Sequence, residues 1–182
     1  MKSFSKIAIY LFLMSVMALP LLSPDYRVPK LLPSIWLLLI HEFSGFAFVG
    51  HTIFSNIWSM RVRQTQSRET GIWARAMIRK MALSITLPTT IITPLAGLML
   101  IEDWGGLHNA WWAWDAYLCF WIMAGLSLWP DLIRLFIDEH AAEPTHGMRG
   151  GGIRGVAVLP LVIYIIVCMV TKQAWIAPFV FT

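Results

Sequence analysis

The chain has 182 residues, of which 58% are hydrophobic and 13% charged, and its mean hydropathy is +0.66. A soluble domain is nearer half apolar and about a quarter charged, so composition excludes a water-soluble enzyme and points to a polytopic membrane protein. The net charge of +4 comes from basic residues beside expected helix ends. No aromatic-basic reading surface accompanies them, which argues against a nucleic-acid partner.

The first apolar stretch is Ile7–Leu22, preceded by Lys2 and Lys6. No small-x-small cleavage site follows in Ala18–Leu19–Pro20–Leu21–Leu22–Ser23–Pro24. The stretch therefore reads as a retained span rather than a signal peptide.

The second, Pro33–Met60, is the richest in information. Its 28 residues are almost uncharged, and Pro33 suits a helical first turn because its missing N–H costs nothing there. At 100° per residue, His41, Ser44, Gly45, His51, Thr52, Ser55 and Ser59 fall within about 120° of one another. Leu39, Phe43, Phe46, Gly50, Ile53, Phe54 and Ile57 take the other side. Polar groups are costly in hydrocarbon, so the helix is expected to present a polar seam to protein and an apolar face to lipid.

The loop from Arg61 to Lys80 is the most basic stretch, with Trp73, Ala76 and Met77 on one face and Arg75 and Arg79 on another. It reads as a cytoplasmic helix lying near the headgroups. The next span, Met81–Ile101, carries Thr86, Thr90, Thr93 and Gly97 at 4-3-4 spacing. Such small and hydroxyl residues let membrane helices approach closely, and the stripe is expected to pack on the seam of the preceding helix. Pro88 and Pro94 should bend this span.

A short loop, Glu102–Asn109, leads into Ala110–Ile133. Trp36, Trp104, Trp111, Trp112, Trp114 and Trp175 are expected to form an interfacial belt. Asp115 lies inside the span. Asp131, Arg134 and Asp138 have the i+3 and i+4 spacing of an ion-pair ladder. The run Gly150–Gly151–Gly152 reads as a flexible connector and lacks the lysine of a phosphate loop. The final span is Val156–Thr171. The apolar tail Trp175–Phe181 is too short to be another, and should lie at the interface or under a neighbouring subunit.

The expected fold is one all-α domain over residues 1–182, a bundle with spans at about 7–22, 33–60, 81–101, 110–133 and 156–171. With the N-terminus inside, eleven basic residues fall on the cytoplasmic side, and Arg27, Lys30 and Lys172 alone fall outside. That asymmetry predicts a cytoplasmic N-terminus and an outer C-terminus. Cys119 and Cys168 both fall within spans and read as packing residues.

The candidate cofactor ligands are His41 and His51. They stand about 15 Å apart along one helix, so they cannot share one iron. A bis-histidine haem would pair His41 with His108 or His51 with His140. A single axial histidine could hold a haem or a chlorin, and Ala47 leaves room for a ring before His51. Glu42, His41 and Asp115 could relay protons, or simply fix helix packing through hydrogen bonds. Ser44, Thr52, Ser55, Thr90 and Thr93 make up the polar seam. No clustered metal-ligand set is present, and no nucleophile–base pair is placed by spacing, so no catalytic residue is assigned.

The runs Ile40–His41 and Gly50–His51–Thr52–Ile53–Phe54–Ser55–Asn56–Ile57–Trp58–Ser59–Met60–Arg61, with Ala74–Arg75, Leu87–Pro88 and Leu95–Ala96–Gly97–Leu98, carry a likeness. Over about residues 35 to 130 the chain resembles an uncharacterised family of predicted bacterial integral membrane proteins. That family looks like a distant neighbour of the copper-resistance D proteins and the J-type protoporphyrinogen oxidases. The oxidases bind haem and share a histidine at the start of a span, here His41. They also carry a His-x-Lys where this chain reads Trp112–Ala113–Trp114–Asp115–Ala116–Tyr117, which argues against protoporphyrinogen oxidation. The likeness implies a multi-pass protein of a bacterial inner membrane. Two functions are expected from different classes: a non-catalytic subunit or scaffold of an electron-transfer or photosynthetic membrane complex, packed against other membrane subunits; or a small haem- or metal-binding redox protein using His41 or His51.

Overall fold

A computed structural model describes residues 2–23, 26–128 and 148–176. These residues are helical with no strand. In chain order the helices are α1 (Lys2–Leu22), α2 (Ser34–Thr65), α3 (Arg68–Met81), α4 (Leu87–Leu100), α5 (Trp111–Met123) and α6 (Met148–Thr171). Three stretches are long and apolar enough to cross a membrane: Ser34–Thr65, Ser84–Trp104 and Ile153–Thr171. The apolar part of α1, Ala8–Leu22, is shorter. The ladder expected at Asp131–Asp138, the histidines at 140 and 146, and the tail beyond Ile176 lie outside the described residues.

The expected single span at 81–101 is a composite. A wide π turn, Ala82–Thr86, joins α3 to α4 and closes through Leu87 N–H to the Ala82 carbonyl. Pro88 follows at once and supplies no N–H to the preceding turn. The Thr89 hydroxyl then donates to the carbonyls of Ile85 (2.7 Å) and Thr86 (3.0 Å), and Thr90 donates to that of Leu87 (2.7 Å). A second π turn, Ala124–Leu128, follows α5.

Antiparallel pairing of α2 with α4 follows one register: His41 lies against Gly97, Ser44 against Thr93 and His51 against Thr86. Beyond that pair, α3 continues along the far end of α2, where Ala74 and Val62 are buried. The apolar face of α2 is uncovered by protein, with Phe43, Phe46 and Phe54 about 70% exposed and only 6% of its most apolar window buried. The remaining core lies among α1, α4, α5 and α6, around Met17, Leu98, Trp114, Tyr117 and Val162. Tyr117 donates its hydroxyl to the Met17 carbonyl at 2.7 Å, tying α5 to α1 inside this core.

Two expectations change here. Trp114 is no belt residue; it is 3% exposed and packs edge-on to Tyr117 at 5.5 Å, because its turn of α5 points inward. The glycine run is helix, not connector: α6 begins at Met148 and passes through it. Further along, a β-carbon at Gly155 would displace the end of the Asn56 side chain where α6 crosses α2.

One end of the bundle is rich in tryptophan. There the segment before α2 is joined to the loop after α4 by the ion pairs Arg27–Glu102 and Lys30–Asp103. The Lys30 ammonium, with the Ser34 hydroxyl beside it, holds the exposed Asp103 carboxyl below the usual carboxylate range. Gly105 (φ 81) and Gly106 (φ 89) turn this loop in the left-handed region that side chains avoid.

Candidate functional site

The α2–α4 interface holds both candidate histidines. The His41 ring lies on Gly97, where a methyl group would meet Cε1 at 3.0 Å and Nδ1 at 3.2 Å. Nδ1 is 2.8 Å from the Thr93 carbonyl oxygen. A carbonyl only accepts, so Nδ1 carries the proton and donates. In the neutral ring Nε2 then holds a lone pair. The glycine and the carbonyl together fix both the position and the tautomer of this imidazole.

His51 sits about 15 Å along the same helix. Its Nδ1 is 2.8 Å from the Thr86 hydroxyl, at the last residue of the π turn. Its Nε2 is buried with no hydrogen-bond partner. Either end of the Thr86 bond can be the donor, so the free Nε2 is an orphaned acceptor or an orphaned N–H.

The remaining seam residues divide. Thr93 donates to the Ser44 hydroxyl at 2.8 Å, and Ser44 passes its own proton to the Ile40 carbonyl at 2.6 Å. These two join the helices. Thr52 and Ser55 do not; their hydroxyls donate within α2, to the carbonyls of Phe48 (2.8 Å) and Thr52 (3.3 Å). Thr90 turns toward α1. Its proton is used on Leu87, so at 3.2 Å it accepts from the Tyr10 hydroxyl.

A second polar cluster, with partners absent from the sequence reading, lies between α5 and α6. Asp115 is 0% exposed. Its Oδ2 accepts from the Tyr164 hydroxyl at 2.5 Å and from the backbone N–H groups of Trp175 and Ile176 at 2.7 and 2.9 Å. Tyr164 was not singled out in sequence. The available signal was its place as a lone phenol in the apolar run Leu161–Val170.

Near this cluster the ammonium of Lys172 sits 3.8 Å from the centre of the Trp112 ring and 5.8 Å from that of Trp104. Burial pushes the Lys172 pKa down, and the Glu42 carboxylate opposes that shift. The relay Glu42–His41–Asp115 has no direct link in the structure, since His41 bonds to Thr93 and Asp115 to α6 and its tail.

Among the described residues no group of three or more His, Cys, Asp or Glu side chains could hold a metal ion. A pocket of about 270 Å³ at the tryptophan-rich end is lined by Tyr26, Arg27, Leu98, Ile101, Glu102 and His108, among others. His108 thus lies in the loop, on the wall of this pocket. No family model, curated protein or solved structure matches the chain.

Proposed function

We propose that this chain is a five-span protein of a bacterial inner membrane, with its basic end in the cytoplasm and its tryptophan-rich end outside, and that α2 and α4 form a mount for a redox cofactor. The observation that carries this reading is the hydrogen bond from His41 Nδ1 to the Thr93 carbonyl. Ligating histidines usually donate their other ring N–H to such an oxygen, which orients the ring and raises its basicity. Gly97 adds a seat for the ring. His41 would hold a haem or a chlorin through its ring nitrogen, and the buried Nε2 of His51 would offer a second point of attachment. When bound, such a group would supply one-electron chemistry. The chain's own part is to position and orient the imidazole.

The purified protein should show a Soret band that His41→Ala abolishes and that Gly97→Ala weakens. A colourless wild-type protein from haem-replete cells would rule out the haem form, and extraction of a chlorin would be tested in the same sample. The orientation has a separate test: cysteines placed at Gln64 and Gly106 should label from opposite faces, with Gly106 outside.

A second reading is a non-catalytic subunit or scaffold packed against other membrane proteins. It is favoured by the broad face of α2, where Ile35, Trp36, Phe43, Phe46 and Phe54 are largely exposed among the described residues. Lipid alone would satisfy that face. Co-purification of a stoichiometric membrane partner, crosslinked through Phe46, would therefore support this reading, and crosslinking to lipid alone would remove it.

A further inference from the structure

Asp115 is fully buried, and three donors converge on one of its oxygens. Two of them are consecutive backbone N–H groups from the segment that follows α6. That segment reaches Asp115 because Lys172 adopts φ 55 after the last helical turn, and the Gln173 N–H folds back on the Thr171 hydroxyl at 3.3 Å. Residues 172–176 thus form a short strap, pinned by the Lys172 ammonium on Trp112 and by Asp115 at Trp175 and Ile176. The Trp175 ring also packs on Tyr164 at 5.9 Å.

The convergence has a chemical requirement. Backbone N–H groups can only donate, and Oδ2 faces two of them together with a phenol. An ionised carboxylate suits that set. A carboxylic acid suits it less well: a proton on Oδ2 would confront the donors, and a proton on Oδ1 would leave Oδ2 accepting only as a weaker, neutral oxygen. Charge-assisted hydrogen bonds are roughly twice as strong as neutral ones. Among the described residues, titratable groups in electrostatic reach of Asp115 include Tyr164 and Cys168 on α6 and Cys119 one turn along α5. Glu42 acts electrostatically on Lys172.

We propose that Asp115 is a proton-operated latch: ionised, it holds the strap 172–176 down over the ends of α5 and α6, and on protonation it lets the strap go. Release uncovers the only charged side chain that is fully buried among the described residues. It also detaches the segment that carries Lys172 away from its aromatic seat.

The test uses the full chain in nanodiscs, where both faces are accessible. Trypsin cuts after lysine, so the release of residues 173–182, read by mass, reports strap opening at Lys172. At neutral pH, Asp115→Asn should speed that release about tenfold or more, the loss of charge assistance being shared by several bonds. Tyr164→Phe keeps the carboxylate and both N–H donors, so its effect should be smaller; if Asp115→Asn does not fold, this variant carries the first arm, and wild-type-like cleavage in it counts against the latch. In the second arm, hydrogen exchange is followed from about pH 8 to pH 4, across the ordinary carboxylate range. Protection factors for the peptide containing Trp175 and Ile176, corrected for intrinsic exchange, should fall in the wild type and stay low throughout in Asp115→Asn. Equal cleavage of wild type and Asp115→Asn overturns the proposal. So does wild-type protection that does not change with pH, because the carboxylate would then be only a fixed anchor.

Discussion

The α2–α4 seam and the α5–α6 crossing solve the same problem in opposite ways. Along the seam, polar groups are many and, the Nε2 of His51 apart, satisfied nearby: Thr52, Ser55 and Thr89 return their hydroxyl protons to carbonyls of their own helices. Only His41, Ser44, His51, Thr86 and Thr93 reach across. At the crossing there is one buried carboxylate, and three donors from α6 and the strap beyond converge on its Oδ2. A dispersed seam tolerates the loss of any one member. A convergent site does not, because removing its centre strands several donors at once.

The comparison breaks most readily at Asp115. Asp115→Leu leaves the Tyr164 hydroxyl and two backbone N–H groups without their acceptor, and should cost about 2–3 kcal/mol in a denaturant titration of the reconstituted protein. The tail donors can turn to water, which keeps the figure from being larger. A loss comparable to that of a seam hydroxyl would show that the site is not convergent in energy.

Next in size is Gly97→Ala. The added carbon would press on the His41 ring at 3.0 Å, so the ring must shift and its bond to Thr93 lengthens. Overpacking of this kind costs about 1–3 kcal/mol. In the background of His41→Ala the same substitution should be nearly neutral, so a double-mutant cycle isolates the contact. Additive effects would mean that the ring does not rest on Gly97.

Smaller still are the seam hydroxyls. Thr93→Val should cost about 0.6 kcal/mol, the average for interhelical hydrogen bonds in membranes. Thr52→Ala should fall below that, because its bond is internal to α2. Thermal unfolding of the two variants side by side would sharpen the distinction, and equal losses would erase it.

The smallest effect concerns the loop clamp. Asp103 has a depressed pKa in the folded protein, so its contribution is present above the ordinary carboxylate value. It is lost as the pH falls through the depressed one. The group is fully exposed, so the readout is a carboxyl chemical-shift titration rather than a melting curve. Lys30→Met should move the midpoint up toward the ordinary value; an unmoved midpoint would assign the shift to another cause.

Much of the helical layout could be read from the sequence because its signals are local. Apolar run lengths located the three long stretches. Helical periodicity put His41 and Ser44 on one face of α2, and the spacing of Thr86, Thr93 and Gly97 put those residues together on the facing helix. Rotation about a helix axis was harder. Thr90 sits between its neighbours in the stripe yet turns to Tyr10, since its hydroxyl points along a different flank. Trp114 was placed in the belt by composition, which counts tryptophans near an end but not their direction. The partners of Asp115 were hidden for another reason. Tyr164 is 49 residues away, and the other donors are main-chain groups that carry no residue-type signal.

Lys172 also bears on how the last helix ends. A residue in the left-handed region after a helix is usually glycine, because a β-carbon there is strained. Here the position is a lysine at φ 55. The stop is thus written in a side chain instead of in backbone freedom, and the ammonium's hold on Trp112 offsets the strain. Lys172→Gly would keep the turn but untie it from the ring. Trp112→Leu would keep the lysine but remove its seat, and α6 would then tend to run on past Thr171. The residue that ends this helix thus rests on a ring sixty positions upstream.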